Sequence, residues 1–228
     1  MNMFTNTLVR TARCVQSATR APTLFLRGSR NVSTLPENSN IYIFPDPKSP
    51  KSSLLTLLPT SPPTPSLAIG TTTSLPPTPD TFTENKNFLG ILQSVFHTYA
   101  VHDPSLKQQA AAFASPGGFN LGGRNTRSGG AGPASSQGGM GGANKGGWIH
   151  VSDTRNPPDW GRIAWPEDIF GSLEVDGTGG FVGEGGGYQA SGTYRVVTRE
   201  GILGIPPFLR EKLVERLKEL EKQIQQKQ

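Results

Sequence analysis

WIHVSDTRNPPDWGRIAWPEDIFGSLEVD (148–176), followed by YQASGTYRVVTRE (188–200) and IPPFLREKLVERLKELEKQI (205–224), is the stretch that decides the fold. Ile149 and Val151 alternate with Trp148, His150 and Ser152, a period of two that predicts a half-buried strand. Ile169, Leu173 and Val175 alternate in the same way with Phe170, Ser172, Glu174 and Asp176. Tyr194, Val196 and Thr198 predict a third strand, antiparallel to the second. Asp176-Gly177 is turn chemistry, but the glycine-laden run to Gly187 is too long for a tight hairpin. After Pro206-Pro207, which can start a helix but not continue one, Leu209, Leu213, Leu217, Leu220 and Ile224 recur at spacings of four, four, three and four. They predict an amphipathic helix from about Phe208, docked on the sheet, with a frayed tail beyond Leu220.

The preceding half supplies partners for this core. Ile41-Tyr42-Ile43-Phe44 reads as a buried strand closed by Pro45, and Leu67-Ala68-Ile69-Gly70 as another. Between them, Ser52 to Leu58 predicts two helical turns stopped by Pro59, so the unit reads as a small parallel crossover. Pro62, Pro63 and Pro65 make a stiff connector. Thr81 and Glu84 fit a capping box, ahead of Phe88, Leu92, Val95 and Tyr99 at helical spacing with Ile91 and Phe96 beside them. Asp103-Pro104 then predicts an N-cap and first helical residue, opening a second helix through Leu106 and Phe113 to Ser115-Pro116.

Glycine and proline, 28 and 20 of 228 residues, cluster and leave one domain's worth of foldable chain. Thirteen of the glycines fall between Gly117 and Gly147, a tract with too little apolar surface to offset its ordering entropy. The organisation expected is a transit peptide at 1–32, the N-terminal part of a single α+β domain at 33–116, a disordered Gly/Ser-rich linker at 117–147, and a β-meander with its C-terminal helix at 148–228. The domain should hold a small antiparallel or mixed sheet of about five short strands, packed by two mid-chain helices and the C-terminal amphipathic helix. No apolar run of about eighteen residues occurs, which predicts a soluble or peripheral protein.

The formal net charge of +5 resides in the first 32 residues, which carry Arg10, Arg13, Arg20, Arg27 and Arg30 with no Lys, Asp or Glu. Wound as a helix, they set Phe4, Leu8, Ala12 and Val15 within about 80° of each other and most arginines opposite. This is the composition and geometry of a mitochondrial transit peptide, read by import receptors and cut after Val32. Its removal leaves a neutral body and weakens any electrostatic case for nucleic-acid binding. Cys14, the only cysteine, goes with it, so disulfide, thiolate-zinc, iron–sulfur and cysteine-nucleophile chemistry are closed to the mature chain.

Phosphate and dinucleotide motifs fare no better. Gly141 to Gly146 lacks the Gly-Lys-Ser/Thr order of a P-loop, and Gly177, Gly179 and Gly183 have the wrong spacing and no helix behind them. His97 and His102 stand five apart, unlike ligands on one helical face. No cofactor and no metal site are expected. What stands out is the loop 154–166. Trp160 and Trp165, with Arg162 and Asp159, either cover one end of the core or form a binding rim. His150, Asp153, Asp159, Glu167 and Asp168 cluster around the same loop and could supply acid and base groups if it folded over a cleft.

GTTTSLPPTPDTFTENKNFLGILQSV (70–95), the stretch at 148–177 and YQASGTYRVVTREGILGIPPFLREKLVE (188–215) resemble a group of fungal mitochondrial proteins with no assigned activity. The resemblance covers most of the mature chain and implies a fungal source and a mitochondrial address, with no site to carry over. The expectation is a non-enzymatic matrix protein that binds another mitochondrial protein or assists assembly. One alternative is a matrix enzyme using His150 and the nearby carboxylates. Another is an RNA- or mitoribosome-associated protein, for which only Arg155, Arg162 and Arg195 offer charge.

Overall fold

The computed structural model describes residues 33–114, 146–159 and 162–226. The expected transit peptide, almost all of the glycine-rich linker, and Trp160 lie outside the described residues. The fold is α+β, with three α-helices, a five-stranded antiparallel sheet and two smaller sheets among the described residues.

The five-stranded sheet comes from the N-terminal part, not from the meander. Strands β1 (Ser33–Thr34), β2 (Tyr42–Pro45), β3 (Ser53–Thr56), β4 (Gly70–Thr72) and β5 (Phe82–Glu84) pair in sequence order, each antiparallel to the next. The expected crossover with a helix at 52–58 is therefore wrong, because Ser53–Thr56 is the central strand. Leu54 joins Phe44 and Ala68 in a small cluster on one face while Leu55 enters the main core on the other. With both faces covered, the run shows no alternation and mimics helical turns. The strand expected at 67–70 is offset, since Pro65–Leu67 is a 3-10 turn and β4 starts at Gly70.

Thr81 and Glu84 do not form a capping box, because Phe82–Glu84 is β5. The N-cap of α1 (Lys86–Tyr99) is Asn85, whose side chain accepts from the Asn87 N–H at 3.0 Å while its amide donates to the Ala68 carbonyl at 2.7 Å. The α1 core face is as its spacing predicts, with Phe88, Leu92, Val95 and Phe96 buried. In α2 (Pro104–Ala114), Asp103 Oδ1 accepts from the Ser105 N–H at 2.7 Å, the cap its sequence predicts, and Leu106, Ala110 and Phe113 are buried.

The second sheet has the order β6 (Gly147–Ser152), β7 (Ile169–Val175), β8 (Gln189–Ala190). Ile149 and Val151 point inward as expected. In β7 the alternation fails at its start, where Val151 pairs with Gly171 but Ser152 pairs with Ile169. Phe170 is the extra residue of this bulge and turns fully into the core, leaving Ile169 half-buried. The third strand is not 194–198. Gln189–Ala190 takes that place, and Val197–Thr198 (β9) instead pairs with Gly201–Ile202 (β10). The reason is that the Arg195 N–H donates to the Glu167 carbonyl and the Val196 N–H to the Glu84 carboxylate, so neither is free for a ladder with β7.

Helix α3 (Pro207–Gln226) buries Leu209, Leu213 and Leu217 in the core and packs along α1. Its tail does not fray at Leu220. Glu221 is buried and accepts hydrogen bonds from the Thr60 hydroxyl at 3.0 Å and, more weakly, the Thr64 hydroxyl at 3.5 Å, which fastens the proline-rich connector to the helix. One continuous core draws on all three helices and on strands from both sides of residues 115–145. Among the described residues no helix is long and apolar enough to cross a membrane.

Candidate functional site

The chain leaves β6 at Ser152 and must reach β7 at Ile169, and the loop between them is rooted in a buried ionic knot. Asp153 and Asp168 stand at its two ends, each about 1% exposed. Between them lies the Arg155 guanidinium, its side chain 3% exposed. Arg155 Nε donates to Asp168 Oδ1 at 2.7 Å, and Nη2 stands 2.7 Å from the same oxygen across the ion pair. The remaining donors reach backbone carbonyls, of Val196 at 2.9 Å, Arg195 at 2.8 Å and Glu167 at 3.0 Å. A planar, multi-donor fork suits this task, because it reaches several carbonyls at once, including those of Val196 and Glu167, which also accept from the Leu203 and Arg195 N–H groups.

Asp153 closes the other side. Its Oδ1 accepts from the Arg155 and Gly204 N–H groups at 2.9 and 2.8 Å, and its Oδ2 from the Tyr194 hydroxyl at 2.9 Å. Burial pushes the Asp153 carboxyl above its ordinary value, against the pull of Arg155 and the three donors. The Tyr194 hydroxyl is pushed well up, first by burial and then by the Asp153 charge. Tyr194 also carries the knot into the core, with Arg155 over one face of its ring at 5.6 Å and Phe170 stacked on it at 4.4 Å. Phe96 of α1 meets Phe170 edge-on at 4.8 Å. Asp168 Oδ2 is buried with no hydrogen-bond partner among the described residues.

Of the five candidate acid–base residues, then, the fold brings Asp153 and Asp168 together, and Arg155 and their donors occupy them. His150 lies on β6, half-buried, its Nδ1 2.8 Å from the Ser172 hydroxyl of β7, and burial lowers its pKa below 6.5. Asp159 and Glu167 are exposed. Two surface clefts open beside Gly204 and beside Tyr188, and neither is lined by His150 or these four carboxylates. No group of three His, Cys, Asp or Glu side chains fit to hold a metal ion occurs among the described residues.

Of the proposed binding residues, Trp165 is 69% exposed and Arg162 is exposed, 3.9 Å from Asp159 across an ion pair open to solvent. Trp165 therefore does not cover the core. Sequence reasoning missed Arg155, which it took for a scattered surface charge. The only signal was its place two residues after an aspartate that ends a strand. No family model matches the chain, and neither a curated protein nor a solved structure matches it.

Proposed function

We propose that this is a non-catalytic protein-binding or assembly factor of the mitochondrial matrix, which engages a partner protein through the loop between β6 and β7. The observation that carries the reading is Trp165, which presents its indole to solvent from a loop whose two ends are fixed by Arg155. A large apolar side chain held out on an anchored loop loses little entropy on docking and gains its full burial there. Arg162 and Asp159 beside it offer the charged rim that sets orientation. The matrix address rests on the arginine-rich, acid-free segment 1–32. Against an enzymatic role, Asp153 and Asp168 are spent on Arg155, and neither lines the cleft beside Gly204 or the one beside Tyr188.

The test is affinity purification of the tagged full chain from purified mitochondria, alongside Trp165→Ala. A protein recovered in stoichiometric amount with the wild type and lost with the variant supports the reading. Equal recovery with both, or none with either, overturns it. Import of the full chain into isolated mitochondria, with loss of about thirty residues, tests the address.

A further inference from the structure

Beside Gly204 the surface opens into a cleft of about 230 Å³, walled by segments far apart in the chain. Glu37 comes from the β1–β2 loop, Leu57 follows β3, Ile202 and Ile205 come from β10 and the link after it, and Arg210 stands in the first turn of α3. Glu37 and Arg210 carry opposite charges on this one cleft, yet neither side chain has an ion-pair or hydrogen-bond partner among the described residues. Glu37 is exposed and Arg210 half-buried, so both side chains are open to a ligand arriving from solvent.

An acid and a base on one small cleft, neither paired with the other, suit a ligand that carries both signs itself and can make a charge-assisted hydrogen bond to each wall. Arg210 is also a cation at the positive end of a helix dipole, in a first turn without acidic residues, so a carboxylate is the group that position lacks. The Leu57, Ile202 and Ile205 side chains, almost wholly buried, turn their remaining apolar surface to the cleft. The volume falls below the range of about 300–1,000 Å³ that takes nucleotides and drug-sized molecules. The side-chain carbonyl of Asn40, whose amide nitrogen is committed to Asn38, is one further acceptor for an ammonium.

We propose that this cleft binds a free α-amino acid with a short aliphatic side chain, its carboxylate on Arg210, its ammonium on Glu37 and its alkyl group on Leu57, Ile202 and Ile205. Thr154 and Arg155, at the root of the Trp165 loop, also border this cleft, but Trp165 does not, and the proposal is independent of the partner reading.

Isothermal titration of the full chain with L-leucine, N-acetyl-L-leucine and L-leucine methyl ester tests it. Saturable binding of L-leucine is expected, weakened about ten-fold or more by capping either end. Arg210→Gln should abolish the penalty of the ester, and Glu37→Gln that of the acetyl cap. Both residues lie at the surface, and an unchanged melting curve for each variant confirms that its fold is intact. Equal binding of a capped analogue, binding unaltered in both variants, or no L-leucine binding tighter than about 10 mM would each overturn the proposal.

Discussion

The loop between β6 and β7 contains two Asp–Arg pairs that differ in everything but chemistry. Arg155 and Asp168 meet at 2.7 Å with side chains 3% and 1% exposed, while Arg162 and Asp159 meet at 3.9 Å with side chains 77% and 84% exposed. In the first, water is gone and the guanidinium is held by a carboxylate and three backbone carbonyls, so removing one partner strands a charge in the interior. In the second, solvent answers both ions already. Identical residue types thus serve as an anchor at the root of a loop and as an adaptable rim at its tip.

The sharpest way to break the contrast is Arg155→Met, which keeps bulk but abandons two carboxylates and three carbonyls. A loss of about 3–5 kcal/mol is expected by urea denaturation. Next comes Gly204→Ala. A Cβ there would meet the Thr154 hydroxyl at 2.7 Å and the Arg155 nitrogen and Asp153 Oδ1 at 2.8 Å, pressing on the knot from outside. It should cost about 1–3 kcal/mol, measured the same way.

His150, half-buried, gives an intermediate case through pH. Its folded pKa lies below the ordinary 6.5, so its share of stability is complete above pH 6.5 and is lost as pH falls through the folded value. His150→Gln should flatten the decline in unfolding midpoint over that window. Asp153, raised from 3.8, works the other way at more acid pH, since the cost of burying its charge fades as it takes a proton. The smallest effect belongs to the exposed pair. Asp159→Asn should leave the melting temperature unchanged, and a clear drop would mean that the loop tip is as structural as its root.

The helices were legible because each has one buried stripe, as Phe88, Leu92 and Val95 or Leu209, Leu213 and Leu217 show. Their partners were less so. Leu54 and Leu55 are both buried, on opposite faces, and nothing local separates such a run from two helical turns. Phe170 stands inside because of a bulge that depends on where β6 ends, and Glu221 is buried because two distant threonines reach it. Arg155 shows the same limit at the candidate site. Its four acceptors come from residues 12 to 41 positions away, and no pattern around 155 announces them.

Phe113, at the end of α2, fills with its ring the space that a side chain on Gly147, at the head of β6, would need. The end of α2 and the head of β6 therefore lie against each other in the core. A detour whose two anchors abut can be trimmed, lengthened or exchanged for a guest domain cheaply, at about 0.6 kcal/mol per doubling of length. Severed there, the polypeptide would yield two complementary fragments, neither owning a complete interior, that should find each other and reconstitute the whole.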